Sequence, residues 1–297
     1  MALYAFDGTG NKDEDQDERD SNVVKFFNAY TDAKKNDDPG EEEGSLYVKG
    51  IGTRARTFFG RGPAEAFGIG GHRRVRQAIE RLENNLDAGD EIVDIVGFSR
   101  GAALALSFAN EIDSKLPDVE IRFVGVFDLV AQFGLPGRHV NAGHVVSLPD
   151  NVKCCRHAMA MDESRKLFPL TRLCAKDGSH DDRLVEVWFR GIHSDVGGGN
   201  GNRGLNWIAL HWMFMNAVRT GLPIPQDAID KNLQDRGLPR QIGDHRLDLE
   251  LERRYFANDT LHSSVVLGPG IDGRPHNDPK TVLARIDDEG QFVDQIV

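Results

Sequence analysis

Short apolar runs alternate along this chain with segments in which apolar residues recur every three or four positions. Residues 3–6 read as a strand that runs into Asp7-Gly8-Thr9-Gly10-Asn11, a glycine-bearing turn. Ser21 or Asn22 can cap a helix with Val23, Phe27 and Tyr30 on one face. Residues 46–48 are a short apolar run, and 32–45 read as a polar loop. A glycine-rich stretch at 60–71 precedes a helix marked by Val75, Ile79, Leu82 and Leu86. Gly89-Asp90 then turns the chain into an apolar strand at 91–96. Ala102, Ala105, Leu106, Ala109 and Ile112 outline a helix small enough on one side to lie close on a sheet. Residues 121–127 read as a buried strand ending at Asp128. Residues 184–189 read as another, ending in Gly191-Ile192-His193-Ser194-Asp195-Val196-Gly197-Gly198-Gly199. Leu205, Ile208, Ala209 and Trp212 open the next helix. This alternation predicts an α/β fold with a mostly parallel central sheet and helices on both faces. A single domain over 1–297 is expected, with its core at 3–217 and a cap-like excursion over 131–182. An irregular, polar part should follow from 223 to 297, with one short helix near 247–255.

Composition narrows the function classes. The chain has 297 residues, 39% hydrophobic and 28% charged, which suits an ordinary globular protein with a sizeable core. Its formal net charge of −11 argues against nucleic-acid binding through phosphate contacts and against simple adhesion to anionic lipid. Arg54, Arg56, Arg61, Arg73, Arg74 and Arg76 make 54–76 locally basic, read as a solvated loop and helix face. Cys154, Cys155 and Cys174 form no regular framework and lack zinc-ligand spacing, so free thiols in a reducing compartment are expected. No signal peptide is visible at the N-terminus. No apolar run reaches the roughly 18–20 residues needed to span a bilayer. The expectation is a protein that is cytoplasmic where it is made and is exported, if at all, without a signal peptide.

The chemistry concentrates at Gly97-Phe98-Ser99-Arg100-Gly101, between a strand and an alanine-rich helix. A G-x-S-x-G in that context is a nucleophile elbow, the strand–turn–helix of α/β hydrolases. The turn exposes the Ser99 hydroxyl above the sheet and aims a helix N-terminus at the same place, so the Arg100 N–H is a candidate oxyanion donor. A serine needs a base, and the base needs an acid to fix its tautomer. Asp128 and His193 end later strands on the edge where Ser99 sits. Asp195 and His262, in Leu261-His262-Ser263-Ser264-Val265, follow in the same order and form an alternative pair. The second oxyanion donor should come from the loop after an early strand, which points to Gly8 and Thr9. Asp7 is either part of that site or a structural carboxylate.

Other signals are weaker. The acidic residues 13–20 have no glycine at the EF-hand position and no spaced Glu, so they make a poor calcium loop. Residues 60–71 hold neither a P-loop nor a full G-x-G-x-x-G. A Ser–His–Asp acyl transfer calls for neither a metal nor an organic cofactor.

Several motifs, taken in order, resemble a bacterial α/β-hydrolase domain family that includes type VI secretion lipase effectors of the first class. They are Phe6-Asp7-Gly8-Thr9-Gly10-Asn11, Gly89-Asp90, Gly97-Phe98-Ser99-Arg100-Gly101-Ala102, Gly125-Val126-Phe127-Asp128 and His193-Ser194-Asp195-Val196-Gly197-Gly198-Gly199. Ala158-Met159-Ala160-Met161-Asp162-Glu163-Ser164-Arg165 also resembles a segment of that family. The resemblance covers about 3–217, with a weaker echo at His262-Ser263-Ser264-Val265. It implies hydrolysis of glycerophospholipid acyl esters, with the Ser, Asp and His motifs at Ser99, Asp128 and His193. It further implies delivery into a rival's periplasm by a secretion spike protein and neutralisation by an immunity protein. Larger members carry an extra membrane-engaging region that the residues after the matched helix do not resemble. Two other readings stand beside it: a soluble cytoplasmic serine esterase acting on a small substrate, and a non-catalytic pseudo-hydrolase binding module.

Overall fold

The structure is a computed structural model. It describes residues 1–11, 19–31, 43–50, 63–131 (backbone only for 63–69), 145–175, 178–179, 181–242, 252–265, 277, 279 and 283–293. The acidic run at 13–18 and the arginines at 54, 56 and 61 lie outside these residues.

Among the described residues nine strands form one sheet: β1 (Ala2–Phe6), β2 (Leu46–Val48), β3 (Val93–Phe98), β4 (Ile121–Phe127), β5 (Cys155–Ala160), β6 (Leu184–Phe189), β7 (Thr260–His262), β8 (Ala284–Ile286) and β9 (Phe292–Val293). The spatial order is β2-β1-β3-β4-β5-β6-β7-β8-β9. Every pairing is parallel except β8 with β9. Six α-helices accompany them among the described residues: α1 (Asn22–Ala29), α2 (Pro63–Asp87), α3 (Arg100–Lys115), α4 (His193–Gly197), α5 (Arg203–Arg219) and α6 (Gln226–Leu233).

The sheet is covered on both faces, which explains why its strands are apolar runs rather than alternations. Successive β1 side chains enter opposite cores. Leu3 and Ala5 pack in the cluster that holds Phe26 of α1 and Trp212 of α5. Ala2, Tyr4 and Phe6 pack in the cluster that holds Leu82 of α2 and Phe108 of α3. Ser21 caps α1, its Oγ accepting the Val24 N–H at 3.2 Å.

Four expectations are corrected. Residues 131–182 are not wholly an excursion, because Cys155–Ala160 forms β5 near the middle of the sheet. The strand is hidden by its polar members: His157 is fully buried, its Nδ1 donating to Glu186 Oε1 at 2.8 Å and its Nε2 accepting the Leu129 N–H at 3.2 Å. The part after 223 is not wholly irregular among the described residues. It supplies α6 and strands β7 to β9, which are too short to leave a periodic signal. The described part of the expected helix at 247–255 has no helical structure. Finally, α2 begins at Pro63, inside the glycine-rich stretch; proline suits a first helical turn, and the long helix tolerates its glycines.

Candidate active site

Strand β3 runs to Phe98, and α3 starts at Arg100, leaving Ser99 alone in the turn with φ 58° and ψ −125°. The flanking glycines are sterically fixed. A Cβ at Gly97 would lie 2.7 Å from the Ala102 Cα, and one at Gly101 would lie 2.3 Å from the Phe6 carbonyl oxygen. Gly101 therefore lets α3 start directly against the end of β1, where the Asp7–Asn11 loop leaves the sheet.

Asp128 follows β4 and also has a positive φ, 40°. His193 is the first residue of α4, after β6. These strand ends bring the three side chains into one hydrogen-bonded chain. The Ser99 hydroxyl lies 2.8 Å from His193 Nε2, and His193 Nδ1 lies 2.6 Å from Asp128 Oδ2. With Asp128 ionised, Nδ1 carries the proton and donates to the carboxylate, which leaves the Nε2 lone pair to accept from Ser99. All three are buried, Asp128 completely. The imidazole sits between the rings of Phe98 and Phe168, each with its centroid 4.6 Å away.

The carboxylate is satisfied from several sides. Oδ1 accepts the Ala160 N–H at 2.8 Å and Arg253 Nη1 at 2.6 Å, while Oδ2 accepts Arg253 Nη2 at 2.9 Å. Burial works against ionisation of Asp128. The Arg253 charge and the hydrogen bonds from His193 and Arg253 outweigh it and hold the carboxyl well below the usual range. Burial also pushes the His193 imidazole below its ordinary value, against the pull of Asp128 and Glu163. The His193 backbone N–H donates to Glu163 Oε2 at 3.0 Å, and Glu163 is in turn gripped by Arg165 at 2.7 Å.

The alternative pair is placed elsewhere. Asp195 faces its own helix start and the loop beyond, accepting the Ile192 N–H at 3.0 Å and the amides of Asn200 and Asn202 at 2.7 Å each. His262 lies on β7, hydrogen-bonded to Ser264 at 2.8 Å and Asp288 at 3.1 Å, with its ring stacked on Phe189. Neither bonds to Ser99 or His193; a capping aspartate and a histidine two residues from a serine partner are satisfied locally.

The oxyanion candidates divide. The Arg100 N–H lies in the first turn of α3, where the helix presents its donors to the site. Burial lowers the Arg100 guanidinium to about 10, so it stays cationic at neutral pH. The Asp7–Asn11 loop packs against Phe98, since a Cβ at Gly8 would lie 2.7 Å from that ring. The Gly8 N–H is already given to Asp7 Oδ1 at 2.7 Å, which removes it as a ready donor. Thr9 stays available: its Oγ1 is buried with no hydrogen-bond partner among the described residues. Asp7 is a structural carboxylate, with Tyr47 donating its hydroxyl to Oδ2 at 2.6 Å. Burial raises its pKa, and that hydrogen bond opposes the rise.

Sequence reasoning missed Glu163, Phe168 and Arg253. Glu163 lay inside a recognised segment but without a role. Arg253 carried no signal at all, being one of two adjacent arginines in a polar stretch.

Among the described residues no three or more His, Cys, Asp and Glu are grouped to hold a metal, and no helix is long and apolar enough to cross a membrane. No curated protein matches the chain. Among the solved structures that resemble it are the following two. An uncharacterized protein from Pseudomonas aeruginosa superposes with a TM-score of 0.55 at 24% identity, over 75% of this chain and 46% of that one. A Tle1 effector bound to the VgrG spike of the type 6 secretion system superposes with a TM-score of 0.46 at 24% identity, over 68% of this chain and 51% of that one. The chain thus spans about half the length of each. The family model described as "T6SS, Phospholipase effector Tle1-like, catalytic domain" matches residues 3–115 and 108–216. That match takes in β1, the serine turn, Asp128 and His193, and the chain accordingly belongs to the Tle1-like phospholipase effector family of type VI secretion, by way of its catalytic domain.

Proposed function

We propose that this protein is a serine phospholipase that cleaves acyl esters of glycerophospholipids. The observation that carries the reading is the chain Ser99 Oγ–His193–Asp128, with gaps of 2.8 and 2.6 Å, behind a strained elbow at the N-terminus of α3. Membership in the phospholipase effector family supports the choice of substrate class.

In the first half-reaction His193 Nε2 takes the Ser99 proton as Oγ attacks the ester carbonyl. Asp128 holds the imidazole and balances its positive charge. The oxyanion is met by N–H donors of the first turn of α3, Arg100 among them, and by Thr9. His193 then gives its proton to the departing lysophospholipid oxygen, leaving an acyl ester on Ser99. In the second half-reaction His193 takes a proton from water, the hydroxide attacks the acyl carbonyl, and His193 returns that proton to the departing Ser99 oxygen as the fatty acid leaves. Delivery on a secretion spike and neutralisation by an immunity protein belong to the same reading.

The test is a fluorophosphonate probe followed by mass spectrometry of products from defined phosphatidylethanolamine and phosphatidylglycerol vesicles. Labelling at Ser99 and release of one fatty acid per lipid are expected, both lost in Ser99→Ala. A folded protein that neither labels nor cleaves is a binding module instead. Hydrolysis of soluble esters with no rate on vesicles makes it a small-substrate esterase.

A further inference from the structure

Arg253 reaches Asp128 from a stretch without regular structure, beyond residue 216 where the family match ends. Its guanidinium is buried and makes four hydrogen bonds. Nη1 donates to Asp128 Oδ1 at 2.6 Å and to the Ala160 carbonyl at 2.7 Å. Nη2 donates to Asp128 Oδ2 at 2.9 Å and to the Phe168 carbonyl at 3.0 Å. The Arg253 N–H donates to Asn277 Oδ1 at 2.9 Å, and the Asn277 amide donates to the carbonyls of Met161 and Glu163 at 2.7 and 3.0 Å. One residue therefore ties the acid, the end of β5 and the segment carrying Glu163 and Phe168.

We infer that Arg253 is a positioning residue of the hydrolytic centre: its fork fixes the plane of the Asp128 carboxylate, and its charge tempers the hold of that carboxylate on the His193 proton. The inference rests on Ser99, His193 and Asp128 being the reacting groups. Both Asp128 oxygens are engaged by the fork, so the carboxylate cannot rotate about its Cβ–Cγ bond without breaking two charge-assisted bonds. Oδ2 also accepts His193 Nδ1, so the imidazole orientation follows from the fork.

The electrostatic half has a definite sign. His193 faces Asp128 at the end of β4, Glu163 from the segment after β5, and Arg253 from the C-terminal part; Glu163 is itself paired with Arg165. The two carboxylates favour the imidazolium and the arginine disfavours it. Without the arginine charge the carboxylates act less opposed, and His193 binds its proton more tightly. A base that stays protonated to higher pH moves the acid limb of kcat/KM upward. An arginine that only tied segments together would change stability and overall rate but leave the limb in place.

The experiment uses the full chain and measures kcat/KM for a short-chain ester across the acid limb, together with thermal melts. Arg253→Met is expected to lower the rate about ten- to a hundredfold, as misplaced catalytic groups do. It should also move the limb up by about half a pH unit or more. Arg253→Lys keeps the charge but not the fork, so the rate should fall with the limb moved by less than about 0.2 unit. Asp128→Asn leaves a buried cation opposite a neutral group, so adding Arg253→Met should recover melting temperature and cost less than about threefold more in rate. An unmoved limb in folded Arg253→Met, or additive rate losses in the double variant, overturns the inference. If Arg253→Met does not fold, Arg253→Gln, neutral but polar, takes its place: an unmoved limb overturns the inference, and a limb raised by about half a pH unit supports it. Ser99→Ala separates the two layers. If Ser99→Ala is inactive while the Arg253 expectations fail, only the arginine role falls; if it retains activity, the underlying reading falls.

Discussion

Ser99 and Asp128 are the two described non-glycine residues with positive φ, at 58° and 40°, and their backbones are laced together. The Ser99 N–H donates to the Phe127 carbonyl at 3.0 Å, and the Val130 N–H donates to the Ser99 carbonyl at 3.2 Å. Each left-handed residue costs of order 1–3 kcal/mol and persists only where its surroundings over-determine it. Here the pairing of β3 with β4 supplies that constraint. One strand pair thus sets the spacing of Ser99 and Asp128, and β6 brings His193 between them.

Side-chain replacement should separate the two candidate pairs. Ser99→Ala and His193→Ala are expected to lose about 10³–10⁶-fold in kcat, and Asp128→Asn about 10⁴-fold. Asp195→Asn should act mainly on stability, by about 1 kcal/mol through the start of α4. His262→Ala should leave kcat within about threefold. Steady-state kinetics on a soluble ester with matched thermal melts would check this. A loss in Asp195→Asn equal to that in Asp128→Asn would reverse the assignment.

The pH profile follows from the environment of His193. The base must be neutral to accept the Ser99 proton. Burial lowers its pKa, so the neutral form persists into mildly acidic solution. The acid limb of kcat/KM should accordingly lie below about 6.5, the ordinary imidazole value. A limb above that value would mean that the attraction of Asp128 and Glu163 outweighs desolvation.

The elbow has no room for a methyl group. Gly101→Ala puts a Cβ within 2.4 Å of the carbonyl oxygens of both Phe6 and Asp7, which are backbone atoms of β1 and the loop that follows it. We expect a loss of about 1–3 kcal/mol, read from denaturant titration, and a parallel fall in fluorophosphonate labelling. Wild-type stability would show that α3 can back away from β1.

Cutting the chain after residue 217, close to where the family match ends, should destroy rather than isolate the folded unit. The cut removes β7 to β9 and α6, and it uncovers Met159, Met161 and Trp188, which pack with Leu261, Val265 and Leu283. It also leaves Asp128 without its arginine. The expected product is insoluble or molten. A soluble, cooperatively melting fragment would contradict this.

Much of the site was legible in the chain because its chemistry is local. A serine between two glycines after an apolar run, and polar residues capping later runs, can be read from neighbours in sequence. The parallel sheet was legible for the same reason, since strands buried on both faces are apolar throughout. What escaped was non-local. β5 carries Arg156 and His157, and His157 looks unlike a core residue until Glu186 and the Leu129 N–H are seen to satisfy it. Residues 260–262 are a strand only because β6 and β8 flank them. Arg253 is meaningful only beside Asp128.

The clamp between Asp128 and Arg253 spans 125 positions. A chain emerging from the ribosome can form β1, β3 and β4 long before its arginine exists, yet the carboxylate then lacks the partner that fixes it. On the proposed reading, competence for chemistry waits until that arginine has been made, and copies stopped short of it carry a serine turn without its clamp.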